Sequence, residues 1–153
     1  MTTSVQHRLR TSGLRVTAPR SAVLLVLDDA NRDHEHLTTA EVAERVRERL
    51  GTVSLQAVYD CLDALVDAGL ARRIEPAGHS ALFEGRVGDN HHHLVCRDCG
   101  RTVDVDCAVG LAPCLTASAT AGFVVDEAEV VFWGRCPDCQ SERTSEEREE
   151  PTT

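Results

Sequence analysis

Cys96-Arg97-Asp98-Cys99 and Cys136-Pro137-Asp138-Cys139 are two pairs of thiols, each with two residues between its members. That spacing lets both sulfurs of a knuckle face one ion at about 2.3 Å, and two knuckles complete the tetrahedral thiolate set of structural zinc. With all four positions filled, such a site leaves no vacancy for water or substrate, so it contributes to folding and not to catalysis. The competing reading is a pair of redox dithiols that cycle to disulfides. Duplicated knuckles framing one small β-rich segment favour the metal. Between them lie Cys107 and Cys114, candidate redox thiols able to form a regulatory disulfide, while Cys61 reads as a small packing residue.

A second cluster, Asn90-His91-His92-His93, leads into the strand that ends at Cys96. Alternate residues of a strand share a face, so His91 and His93 can approach one ion while His92 turns away. Three solvated histidines at the start of a strand are the plain alternative. Glu84 and Asp104 offer carboxylates, and His34 and His36 offer further imidazoles. An imidazole and carboxylate set without thiolate suits iron(II), manganese(II) or zinc. Ligands drawn from two lobes would let metal occupancy set the angle between them. Enzyme signatures are missing: His34-Glu35-His36 lacks the His-Glu-x-x-His spacing, no glycine loop cradles a phosphate, and Pro137 lies inside its knuckle where deaminases carry it outside.

These groups need elements to hold them. Thr17 and Pro19 open a helix that carries Val23, Leu24, Val26 and Leu27. Thr38-Thr39-Ala40-Glu41 has the capping-box pattern before a second helix with Val42, Val46 and Leu50 on one face, and Gly51 stops it. A third runs from Ser54 to Gly69 with Leu55, Val58, Leu62, Leu65 and Val66 inward. LARRI and SALFE then flank a Pro-Gly turn as a hairpin. Three helices and a hairpin give the order of a winged helix-turn-helix, whose last helix enters the major groove of double-stranded DNA. A three-helix packing module with no nucleic-acid role shares the pattern.

Outward on that last helix stand Gln56, Ala57, Tyr59, Asp60 and Asp63. Gln56 and Tyr59 can bond to base edges or phosphates, whereas Asp60 and Asp63 repel phosphate, so the helix must enter N-terminus first. After the hinge-like GRVGDN, HLVCRD and RTVDVD alternate as strands, LAPCLTASATAG reads as a short helix, and FVVDEAEVVFWGRC gives one or two more strands. The expected fold class is α+β: a winged-helix domain over residues 1–85, a hinge at 86–90, a small α/β dimerisation domain with a four-cysteine zinc site over 91–140, and an acidic disordered tail over 141–153.

The net charge of −9 looks unfavourable for a nucleic-acid binder. Distribution corrects that impression, because residues 1–27 carry Arg8, Arg10, Arg15 and Arg20 with no acid, while five glutamates sit in the tail. No signal-peptide run and no stretch of 18 apolar residues occurs, so the expected setting is the cytoplasm, without a membrane partner.

Gly13-Leu14-Arg15-Val16-Thr17 with Pro19-Arg20, Gln56-Ala57-Val58-Tyr59, His91 through Gly100, and Trp133 through Cys139 together resemble the ferric uptake regulator family over about residues 8–140. RVGDNHHHLVCRDCG, VDCAVG and APCLT are most similar to its actinobacterial FurA/CatR branch, which is associated with repression of catalase-peroxidase genes and with oxidative stress. The resemblance implies a homodimer and structural zinc on Cys96, Cys99, Cys136 and Cys139. It also implies a regulatory iron(II) or manganese(II) ion, or zinc, on His36, Glu84, His91, His93 and Asp104. Arg15 corresponds to the family's minor-groove arginine and Tyr59 to its base-contacting tyrosine; with Arg20 and Gln56 they are the candidate DNA contacts. The family's Thr-Val-Tyr-Arg reads Ala57-Val58-Tyr59-Asp60, which removes a cation from the recognition helix. Asn90, His92 and Ala128 fall where the family builds an additional metal site, so that site is incomplete. Asp104 is the residue type that peroxide-sensing members carry there. The implied function is a peroxide-responsive repressor of a palindromic operator; the alternative is an iron- or zinc-uptake repressor that senses metal occupancy alone.

Overall fold

The computed structural model describes residues 4–85, 87, 91–106, 121–124 and 130–146. The chain divides into two units, Met1–Asp89 and Asn90–Thr153. Among the described residues no helix is long and apolar enough to cross a membrane. The expected hinge at 86–90 and the expected helix at LAPCLTASATAG, with Cys107 and Cys114, fall almost wholly outside the described residues.

Unit 1 begins with α1 (Val5–Thr11), which the sequence reading did not foresee. It has one buried apolar residue, Leu9, and is held to α2 (Ala18–Arg32) by the Arg8 guanidinium, whose Nη1 donates to both Asp28 carboxylate oxygens at 2.7 and 2.8 Å. The Thr17 hydroxyl accepts from the Arg20 N–H and caps α2, whose proline stands in the first turn where no intrahelical donor is lost. At α3 (Thr39–Leu50) both halves of the capping box form: Thr38 Oγ accepts from the Glu41 N–H, and Glu41 Oε2 accepts from the Thr38 N–H at 2.8 Å. Gly51, at φ +83°, closes that helix in a backbone region which side chains resist. Ser54 caps α4 (Leu55–Asp67).

Leu24, Leu27, Val42, Val46, Val58, Leu62 and Leu65 form the core among these helices, together with Phe83. Phe83 comes from the wing, a sheet ordered β1-β3-β2, where β1 is Leu37–Thr38, β2 Arg72–Ile74 and β3 Leu82–Glu84. The wing therefore has three strands where the sequence reading expected a hairpin, because two residues between helices are too short to announce themselves as a strand.

Unit 2 is built on β4 (His91–Cys96), flanked by antiparallel β5 (Thr102–Asp106) and parallel β6 (Val131–Gly134). The final helix, α5 (Pro137–Glu146), was unforeseen; it begins inside the second knuckle, just after Cys136, and continues into 141–146, which the sequence reading assigned to a disordered tail.

Leu62 is fully buried at the centre of unit 1. Replacing it with Ala should cost about 2–5 kcal/mol, read as a lowered urea midpoint at unchanged slope.

Candidate metal centres and nucleic-acid face

The parallel pairing of β4 with β6 sets Cys96 opposite Gly134, two residues before Cys136. The Gly100 turn, at φ +76°, folds Cys99 back over the end of β4, and the first turn of α5 carries Cys139. One donor atom from each cysteine can be taken so that all four lie within 4.8 Å of one another, and the Cys99 and Cys136 sulfurs are 3.7 Å apart. Four sulfurs around a tetrahedral ion at about 2.3 Å stand roughly 3.8 Å from each other, so the set fits zinc by both donor type and spacing.

Hydrogen bonds prepare the set for charge. The Cys136 N–H donates to the Cys96 sulfur at 3.3 Å, and this bond, followed by one from the Cys99 N–H, lowers the Cys96 thiol to about 6. Cys139 is pushed up, first by the neighbouring Cys136 thiol and then by desolvation. Crowding thus opposes further thiolates until a cation neutralises them. Reciprocal ion pairs brace the knuckles. Arg135 Nε reaches Asp98 of the first knuckle at 2.8 Å, and Arg101 Nη1 reaches Asp138 of the second at 3.4 Å. The Arg97 guanidinium lies over the Trp133 ring at 5.2 Å. The sequence reading missed these braces, although an aspartate inside each knuckle was the available signal.

Each unit also sets buried imidazole beside buried carboxylate. In unit 1 the β1–β3 register pairs Leu37 with Phe83, so the next step outward sets His36 beside Glu84; His36 Nε2 and Glu84 Oε2 are 3.0 Å apart, with both side chains 2% exposed. His34, two residues earlier, adopts the left-handed backbone at φ +55°, and the register favours His36 as the loop donor. The strand end is held closely, since a Cβ at Gly85 would meet the Leu27 carbonyl oxygen at 3.0 Å.

In unit 2, His93 pairs with Asp104 across β4 and β5. Asp104 Oδ1 lies 3.8 Å from His91 Nε2 and 3.7 Å from His93 Nε2, and the two imidazole rings meet edge to face at 4.9 Å. All three are buried side chains of one sheet face. His92 occupies the other face, where its Nδ1 accepts from the Val130 N–H at 3.4 Å and its ring meets Phe132 edge-on. Asn90 and Ala128 lie outside the described residues.

The remaining candidates lie on unit 1. Arg15 is exposed in the loop between α1 and α2, and its carbonyl accepts from Arg20 Nη1 at 3.1 Å. Gln56 and Tyr59 are exposed on α4, and Gln56 Nε2 donates to Asp60 Oδ1 at 2.9 Å. Cys61 is buried on the opposite side, and burial raises its thiol.

A winged helix in one unit and a tetrathiol knuckle pair in the other coincide with a sequence match: the ferric uptake regulator family profile covers residues 11–131. The chain belongs to the ferric uptake regulator family. It is accordingly a metal-responsive transcriptional regulator and not an enzyme. The transcriptional regulator FurA of Mycobacterium tuberculosis is 58% identical over 139 residues, spanning 91% of this chain and 92% of that protein. Among solved structures, the Vibrio cholerae ferric uptake regulator matches with a TM-score of 0.65 at 25% identity, over 86% of this chain and 98% of the other. The Pseudomonas aeruginosa ferric uptake regulator, determined with manganese, matches with a TM-score of 0.66 at 27% identity, over 88% and 99%.

Each thiol must release its proton to bind a metal ion, so affinity at the tetrathiol set should rise with pH and fall as pH drops through about 6, where Cys96 becomes protonated. Strong chelation should expose four of the seven cysteines to a thiol reagent and unfold unit 2, seen by circular dichroism. Full reactivity of those four before chelation would instead identify working redox dithiols.

Proposed function

We propose that the protein is a cytoplasmic, homodimeric repressor that binds a palindromic operator when its regulatory metal is present and releases it after peroxide exposure. Structural zinc is assigned to Cys96, Cys99, Cys136 and Cys139, whose sulfurs have the spacing of a closed tetrahedral site. The regulatory metal is assigned to His36, Glu84, His91, His93 and Asp104. The observation that carries this assignment is the pairing of buried imidazole with buried carboxylate within each unit, 3.0 Å apart in one and 3.7–3.8 Å in the other. Burying ionisable groups is costly unless something compensates them, and a divalent ion does so while suiting a nitrogen and oxygen donor set.

Dimer formation is supported by Val103, Leu94 and Phe132. They stand in register across three strands on the face opposite His91 and His93, each 40–46% exposed. A row of apolar side chains left at a surface is a surface for a partner, and a second copy of the chain fits the two-fold symmetry of a palindrome. On unit 1, Arg15, Arg20, Gln56 and Tyr59 are the proposed DNA contacts, the arginines to phosphate and minor groove, the others to base edges.

For release, iron(II) bound at the regulatory site would supply the redox chemistry that activates peroxide. A ligand histidine then gains one oxygen atom and water leaves with the other, so the imidazole is oxidised by two electrons as peroxide is reduced. His36 and His91 are the expected acceptors. The second reading, release by loss of iron without oxidation, is favoured by the family's description as ferric uptake regulators.

Protein loaded with iron(II) or with manganese(II) separates these readings. Under peroxide the iron form should lose operator affinity and gain one oxygen on His36 or His91, while the manganese form keeps both its affinity and its mass. Equal loss by both forms would shift the switch to Cys107 and Cys114. If peroxide affects neither form and a chelator releases DNA from both, occupancy is the signal.

A further inference from the structure

On α4, Gln56, Tyr59, Asp60 and Asp63 are spaced i, i+3, i+4 and i+7 and are all exposed, so they share one face. An aspartate in the middle of a DNA-facing surface looks like a defect, because it repels phosphate and cannot pair with the acceptor edge of guanine. The two aspartates are treated differently. Asp63 stands 4.0 Å from the Arg73 guanidinium of β2, whereas Asp60 takes a hydrogen bond from the Gln56 amide at 2.9 Å.

A glutamine amide is nearly symmetric in shape and opposite in hydrogen-bonding sense at its two ends, so a free Gln56 can present either end to a base. An ionised carboxylate only accepts. Asp60 therefore holds the nitrogen end and fixes the flip: Oε1 is left outward as an acceptor, and the second N–H remains as a donor. That pair matches the N6 donor and N7 acceptor on the major-groove edge of adenine, and it mismatches guanine, which offers acceptors at both positions. Gln56 lies in the first turn of α4, the part of a recognition helix that reaches base edges.

We infer that Asp60 is a specificity-determining positioning residue, which acts through Gln56 to select adenine at one base pair of each half-site. This rests on the proposed reading of α4 as the recognition helix. It also gives a function to the position at which the chain departs from its family's arginine: a phosphate contact is exchanged for a sharpened base contact.

The test uses the full-length, metal-loaded protein. Wild type first selects from a randomised duplex library; then the wild type, Q56A, D60N and D60A bind a panel with every base, and 7-deaza-adenine, at each selected position. Wild type should prefer adenine at one position per half-site by on the order of tenfold or more. Q56A, D60N and D60A should lose that preference at the same position and keep the others. Removing N7 should weaken wild type and leave the variants unaffected. D60N should bind unrelated DNA at least as well as wild type, because it has shed a negative charge.

Adenine preference retained in D60N would overturn the inference. So would affinity that falls equally at all sequences together with the thermal midpoint, which is the signature of a merely structural role. A wild type that selects no sequence at all would refute the reading of α4 itself, and the positioning role with it.

Discussion

A parallel pair such as β4 and β6 has no turn to set its register, because the chain must leave the sheet and return from a distance. In unit 2 the register is fixed at its ends, where Cys96 and Cys136 meet through a backbone N–H and are braced by Arg135 on Asp98 and Arg101 on Asp138. A slip of one residue between these strands would part Cys96 from Cys136 and set the other face of β6 beside His93 and Val95. The neighbouring antiparallel pairing of β4 with β5, joined by the short turn at Gly100, decides which histidines meet Asp104.

Unit 1 follows a similar logic with weaker forces. Caps at Thr17, Thr38 and Ser54 fix where three helices begin, and a shared aliphatic core fixes how they pack. The two-residue β1 then needs only to follow β3 for His36 to arrive beside Glu84. Neither residue belongs to an obvious motif, and their meeting is a product of register. The pairing of Gln56 with Asp60, by contrast, is set by the one-turn spacing within α4.

What could be read from the sequence was whatever rests on short-range rules. Cap residues, glycine stops, the 3.6-residue period of Val42 and Val46, the two-residue period of His91 and His93, and the spacing within each knuckle all act over a turn or a strand. Long-range geometry was not legible. Nothing local shows that β6 runs parallel to β4, that β1 exists, or that Arg135 pairs with Asp98. Helix α1 was missed because Val5 and Leu9 are too few apolar residues to define a period, and its place depends on the Arg8 link to Asp28. Helix α5 was missed because acidic composition outweighed the continuation of the second knuckle into a helical turn.

Strand β3 is three residues long, and two kinds of duty fall on consecutive positions: Phe83 fills the core of the wing and Glu84 faces His36. Such a strand has no slack with respect to length. An insertion or deletion of one residue within it would leave a hairpin that still pairs, yet would exchange the apolar and acidic positions across the sheet. Length variation in this part of the gene should therefore be confined to the Pro76–Gly78 turn, where extra residues change neither side chain's face. The reading frame of the wing and the placement of the Glu84 carboxylate beside His36 are in that sense inherited as one character.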